Sequence, residues 1–417
     1  MAQINIGDKL EQKAKERLER KVDRTIDKGF DKTEDSMDKG AKEATKGKKD
    51  KKDTNSAESE SNTATDPAAT EPATRLQIPL RAYSKFDFVP GDQLIAFEDF
   101  SQDAIGDFPA KWNTNSSGEV VTIEGAEGQW FKFGGPGVVY PEFVKELPEH
   151  FTLEFDVTGL EESGTCSDLH IQFRTAEGSL LSSNDAGLLN LYLTPRGANK
   201  GHTPYVAVSV NDVDGNRAMD NTRWLAERSS SLHPPISHVS IQRQKGRLRM
   251  YLDEEKIWDL PRAFSDAISY RLVLEDAGCV ENPIIFSNLR VAIGAPDTRN
   301  KLITEGRLVS HGIHFDSGSH RIKPESYGSL REIAAVLNEN SGVNVRIIGH
   351  TDSDGDQAKN LELSKRRADA VKEALNKEFN VPIARMQTDG KGQTEPIGPN
   401  DSPQDKANNR RVEFVKL

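Results

Sequence analysis

In six successive runs between residues 151 and 274, apolar side chains occupy every second position. Phe151, Leu153, Phe155 and Val157 make the first; Leu169, Ile171 and Phe173 the second; Leu189, Leu191 and Leu193 the third. Val206, Val208 and Val210, then Leu248, Met250 and Leu252, then Tyr270, Leu272 and Leu274 complete the series. A period of two puts these side chains on one face of a pleated strand, and only a second apolar face can keep them from water. Lys245-Gly246, between Val239/Ile241 and Leu248, reads as the two-residue turn of a hairpin. So many half-apolar strands with no strong helical period predict an all-β sandwich over residues 76–296.

From residue 297 the period changes. Pro324 opens a predicted helix carrying Leu330, Ile333, Ala334 and Leu337 at the spacing of one buried face. A strand with Val343, Val345 and Ile347 follows, then a polar loop and a second helix from about 361 to 375, with Asn360 as its expected N-cap. Short strands around 386–390 and 412–415 close what reads as a compact α+β domain, 297–417.

The N-terminal 75 residues are different again. Residues 1–47 read as a highly charged helix with a one-residue stripe of Leu10, Ala14, Leu18, Val22, Ile26 and Phe30. That stripe is too narrow for a core. It suits either a partner helix or surface, or a solvated helix held by Glu/Lys pairs. Residues 48–75 are Ser-, Thr-, Ala-, Glu- and Pro-rich, with too little apolar surface to offset ordering, so a disordered linker is expected there. The chain is thus multidomain.

A net charge of −11 argues against a general nucleic-acid binder. No window approaches 18 consecutive apolar residues, and the N-terminus lacks an apolar signal core. Ala2-Gln3-Ile4-Asn5 reads as the start of a mature chain whose signal has been removed, which places the protein in the periplasm. Cys166 and Cys279 both fall in the β region: one disulfide or two buried thiols are the options. Their spacing does not suit a metal site.

Chemistry concentrates after Gly349, where His350-Thr351-Asp352 follow a strand end, a common place for ligand contacts. Arg366 and Arg367 lie on the next predicted helix. If that helix packs back on the sheet, Asp352 and a guanidinium share a crevice suited to a ligand with both an ammonium and a carboxylate. The alternative is that Asp352 and Arg367 pair with each other or with solvent.

Several motifs in order carry a resemblance. Ile313-His314-Phe315-Asp316, Ile322-Lys323-Pro324, Leu330 and Ile333-Ala334 open it. His350-Thr351-Asp352, Gly355, Asn360, Leu363-Ser364, Arg367-Ala368, Val371 and Leu375 form its centre, and Asn409-Arg410-Arg411-Val412-Glu413 closes it. This pattern resembles the OmpA-like C-terminal domain, which binds the diaminopimelate of peptidoglycan stem peptides non-covalently. The resemblance implies that Asp352 takes the ammonium and Arg367 the carboxylate. Asn360 and Arg410 would add side-chain contacts, the Phe315-Asp316 turn would line the site, and Arg411 would support the fold. The loop Ser353-Asp354-Gly355-Asp356 is longer and more acidic than the family pattern.

Leu94 to Phe100, Pro109-Ala110-Lys111-Trp112, 151–157 and Phe286-Ser287-Asn288-Leu289-Arg290-Val291 resemble concanavalin-like jelly rolls. That likeness specifies a fold better than an activity, and it leaves an envelope protein or a glycan as partners of the sandwich. No pair of catalytic carboxylates stands out. Trp112, Trp130 and Trp258 read as core, and His311, His314 and His320 as surface or strand residues rather than metal ligands. No catalytic motif or cofactor site is expected. The reading is a non-enzymatic, outer-membrane-associated periplasmic protein anchored to peptidoglycan. The rival is a glycan-active envelope enzyme that uses the C-terminal domain for targeting.

Overall fold

The computed structural model describes residues 86–417 apart from 160–167, 177–178, 182–187, 196–203, 213–215, 226–235, 266–267, 279–282 and 295–296. The expected N-terminal helix and linker, and both cysteines, lie outside the described residues. The described part is mostly β-sheet with a few helices.

Every period-two run forms a strand, and the strands make two antiparallel sheets. The larger, of eight strands, runs Glu255–Leu260, Arg247–Leu252, Ser237–Gln244, His150–Gly159, Ile284–Ile293, Trp130–Phe133, Gly118–Val121, and Gln93–Glu98 also pairs with Ile284–Ile293. The smaller runs Arg217–Trp224, Tyr205–Asn211, Leu189–Leu193, Leu169–Thr175, Tyr270–Asp276, Gly137–Pro141, Trp112–Thr114. Their apolar faces meet in one core, where the Phe151 and Phe173 rings lie 5.7 Å apart across the sheets. Each buried Phe, Leu or Val there contributes roughly 1.5–3 kcal/mol. The expected hairpin is present: Gln244 pairs with Arg247, and Lys245 adopts a left-handed φ of 54°.

The C-terminal sheet runs Arg307–Ser310, Val412–Lys416, Val345–His350, Met386–Gly392. Its last two strands are parallel, so the chain must cross over between them, and the helix Gln357–Phe379 makes that crossover. A second helix, Tyr327–Glu339, buries Leu330, Ile333, Ala334 and Leu337 as its spacing predicts. The helix N-cap differs from expectation. Asp356, not Asn360, caps the crossover helix by accepting from the Lys359 N–H (2.9 Å). The helix therefore starts a turn earlier than expected, and Arg366 and Arg367 fall in its third turn. It lies so close to the sheet that a Cβ on Gly349 would sit 2.2 Å from the Ser364 carbonyl oxygen.

Residues 86–92 strap the sandwich to this region. Phe86 and Phe88 pack edge-on against Tyr251, at 5.3 and 5.6 Å, and the Tyr251 hydroxyl donates to Asp87 (2.9 Å). On the strap's other side the Phe88 backbone touches the first turn of Tyr327–Glu339. A Cβ on Gly328 would fall 1.9 Å from the Phe88 carbonyl oxygen. Gly328→Ala is therefore expected to lower stability by about 1–3 kcal/mol through overpacking. Gly342→Ala, with nothing within 4 Å, should change little. Urea midpoints of the two variants check this, and equal midpoints would contradict it.

Candidate functional site

A cleft of about 1300 Å³ opens between the sandwich and the C-terminal sheet. Asp352, Asn360, Arg367, Arg410, Thr351, Phe315 and Asp316, the residues singled out from sequence, all line it. They play unequal parts.

Asp352 follows the end of Val345–His350, and its Oδ2 accepts from Arg410 Nη1 at 2.7 Å. The carboxylate pairs with Arg410, not with Arg367. Thr351 is buried; its hydroxyl donates to the Asp352 carbonyl (2.8 Å) and its N–H to the Gly392 carbonyl (2.9 Å), so it fixes the loop. Asn360 is a loop staple too, donating to the Asp354 carbonyl (2.9 Å) and to Gln393 (2.8 Å). The acidic loop is held from outside as well, by an Asp354–Lys406 ion pair at 2.9 Å.

Arg367 lies across Phe315, its guanidinium carbon 4.8 Å from the ring centre. Its Nε donates to the Ser319 carbonyl (2.9 Å). Among the described residues no carboxylate forms an ion pair with it: Asp316, the nearby candidate, pairs with Arg321 instead. Burial lowers the Arg367 pKa to about 10, with Asp352 opposing the shift and Arg410 adding to it. At neutral pH Arg367 is a half-buried cation that donates to the Ser319 and Asp316 carbonyls and has no carboxylate at ion-pair distance among the described residues. Arg411, by contrast, is buried and spent on Glu413 (2.8 Å) and the Glu395 carbonyl (3.0 Å).

The sandwich supplies the opposite wall, which sequence reasoning missed. The Phe97 ring carries two guanidinium groups, Arg290 at 5.1 Å and Arg410 at 5.4 Å. Behind them Glu154 and Asp156 contact His238, at 3.4 and 2.7 Å. Nothing in the chain pattern marks these residues, because outward polar positions on a strand look the same whether solvent or another domain covers them. Of the tryptophans, Trp112, Trp130 and Trp258 are buried in the sandwich, while Trp224 is 66 % exposed. Among the described residues no group of three or more His, Cys, Asp or Glu is placed to hold a metal ion.

His350 supports the site from beneath. It is 2 % exposed, neither ring nitrogen makes a hydrogen bond, and Nε2 lies 3.5 Å from Glu413. Burial, helped by Arg411 and opposed by Glu413, lowers its pKa from 6.5 to about 4. The unfolded chain therefore takes up this proton before the folded one, so His350 costs nothing above pH 6.5 and destabilises the fold progressively as pH falls toward 4. At pH 5 the cost is on the order of 2 kcal/mol. His350→Gln should accordingly lose less stability than wild type between pH 7 and pH 5, measured by urea unfolding. Parallel losses would contradict the assignment.

Comparison with known proteins places this region. Residues 314–410 match the model of the OmpA family. The chain is 41 % identical over 105 residues to the probable lipoprotein YiaD of Escherichia coli (strain K12), covering 25 % of this chain and 48 % of that protein. It is 34 % identical over 107 residues to the putative lipoprotein YfiB of the same organism, covering 26 % of this chain and 67 % of that protein. Its match to outer membrane porin F of Pseudomonas fluorescens, at 40 % identity, covers 24 % of this chain and 31 % of the porin. The chain thus spans less than half of YiaD and of this porin. Among solved structures it is similar to the peptidoglycan-associated lipoprotein from Burkholderia pseudomallei, at 26 % identity over 29 % of this chain and all of that one, with a TM-score of 0.25. Through residues 314–410, the chain belongs to the OmpA family.

Proposed function

We propose that the cleft binds peptidoglycan non-covalently, through the diaminopimelate of a stem peptide, and so anchors this protein to the cell wall from the periplasm. The observation that carries this reading is Arg367, a desolvated guanidinium without a carboxylate partner in the same cleft as Asp352. Diaminopimelate ends its side chain in an ammonium and a carboxylate on one carbon. Asp352 takes the first and Arg367 the second, its planar fork bonding both oxygens. Arg410 holds Asp352 in place before the ligand arrives. The lipoproteins and outer-membrane porin among the relatives fit an envelope setting. In this reading the protein turns nothing over. The sandwich, a concanavalin-like jelly roll, presents its free surface to an envelope protein or glycan.

Asp352→Ala and Arg367→Ala are each expected to abolish sedimentation with purified walls. A desolvated charge left without its partner costs about 3–5 kcal/mol. A micromolar to millimolar site is worth only about 4–8 kcal/mol in all, so either loss approaches the whole binding energy. Arg366→Ala is the control, because Arg366 is exposed and among the described residues pairs only with Glu362, at 3.8 Å. Wall binding that survives Arg367→Ala, or that is lost with Arg366→Ala, would overturn the assignment.

A further inference from the structure

The second wall of the cleft has its own guanidinium without a direct partner among the described residues. Along Ile284–Ile293, strict alternation from the inward-facing Phe286 would turn residue 290 into the core. A β-bulge prevents this. The pairing with His150–Gly159 shifts between Ser287 and Arg290, and Asn288 takes a left-handed φ of 56°. The extra residue keeps Leu289 and Val291 in the core and brings Arg290 out beside Glu154, into the cleft.

The Arg290 guanidinium makes no ion pair or hydrogen bond among the described residues. Its cross-strand neighbour Glu154 faces His238 at 3.4 Å and His314 at 4.0 Å. Phe97 braces Arg290 on the same ring that carries Arg410, and Arg410 is already neutralised by Asp352. Among the described residues the cleft thus holds two guanidinium groups with no carboxylate at ion-pair distance: Arg367 on the crossover helix and Arg290 on the sandwich, where Glu154, Asp156 and Glu325 offset the Arg290 charge from farther away. One ligand with two separated anionic groups would give each a direct partner.

We infer that the sandwich completes the binding site, and that Arg290, positioned by the Asn288 bulge and the Phe97 ring, takes a second carboxylate of the same wall peptide. This rests on the peptidoglycan reading above. It makes the site a two-domain one, selective for peptides that carry a free carboxylate beyond the one at Arg367.

The test uses the full chain and a soluble diaminopimelate-containing stem peptide, titrated calorimetrically, with each of its carboxylates amidated in turn. One amidation should weaken wild-type binding about tenfold, the scale of a charge-assisted bond, and should leave Arg290→Gln unchanged. That variant should already bind the unmodified peptide about tenfold more weakly than wild type. A different amidation should be the silent one in Arg367→Gln. Should Arg290→Gln unfold, Arg290→Lys takes its place: it keeps the charge but not the fork, so its penalty for the same amidation should be smaller than that of wild type. Wild-type affinity in Arg290→Gln, or equal penalties in wild type and the Arg290 variant for every amidation, would overturn the inference alone. A wild-type protein that binds none of the peptides would overturn the peptidoglycan reading, and this inference with it.

Discussion

The polar outer face of the strand His150–Gly159 is the constraint on which the cleft depends. Thr152 and Glu154 alternate with Phe151, Leu153 and Phe155 as solvent-facing residues would, yet each is only 2 % exposed. Polar groups removed from water need partners, and here most come from the strap and the neighbouring strands. The Gly91 N–H donates to Thr152 (3.0 Å), Asn288 donates to Asp156 (2.8 Å), and His238 contacts both carboxylates. Burial disfavours a charge on His238, but Asp156 and Glu154 outweigh it and raise its pKa well above the ordinary value. From the C-terminal region His314 comes within 4.0 Å of Glu154, so that region covers this face as well. The cleft is the part of that contact left open.

Within the cleft, aromatic rings organise the cations. Phe315 carries Arg367, and Phe97 carries Arg290 and Arg410. A planar guanidinium stacks on a ring face and still presents its N–H edge to a ligand, which a lysine ammonium does not do. Among the described residues, Arg410 alone of the three forms an ion pair with a carboxylate, Asp352 at 2.7 Å. In the proposed reading, that pair supplies the fixed anion for an incoming ammonium, and Arg367 and Arg290 take the incoming carboxylates.

Much of this was legible in the chain, and what was not has physical reasons. Strands such as Leu169–Thr175 announce themselves because one apolar face must be buried, and Tyr327–Glu339 does so through its i, i+3, i+4, i+7 stripe. The start of the next helix was misplaced because Asp356 and Asn360 are both good caps. Only the fold decides between them, by giving the Lys359 N–H to Asp356. Asp352 and Arg367 stand out both from their places in the chain and through the resemblance, but the partner of Asp352 does not. Arg410 is 58 residues away, and no local period links them. Arg290 is hidden for a subtler reason: a single-residue bulge reverses which way it faces, and the only sign in the chain is that the apolar phase shifts from Phe286 to Leu289 and Val291.

The central claim is that the cleft reads an ammonium and a carboxylate together on one wall residue. The most direct test compares binding of the full chain to two purified walls, one with diaminopimelate in the stem peptide and one with lysine at that position. Lysine keeps the ammonium for Asp352 and offers Arg367 nothing. The account predicts strong sedimentation with the diaminopimelate wall and little with the lysine wall. Equal sedimentation with both would contradict it.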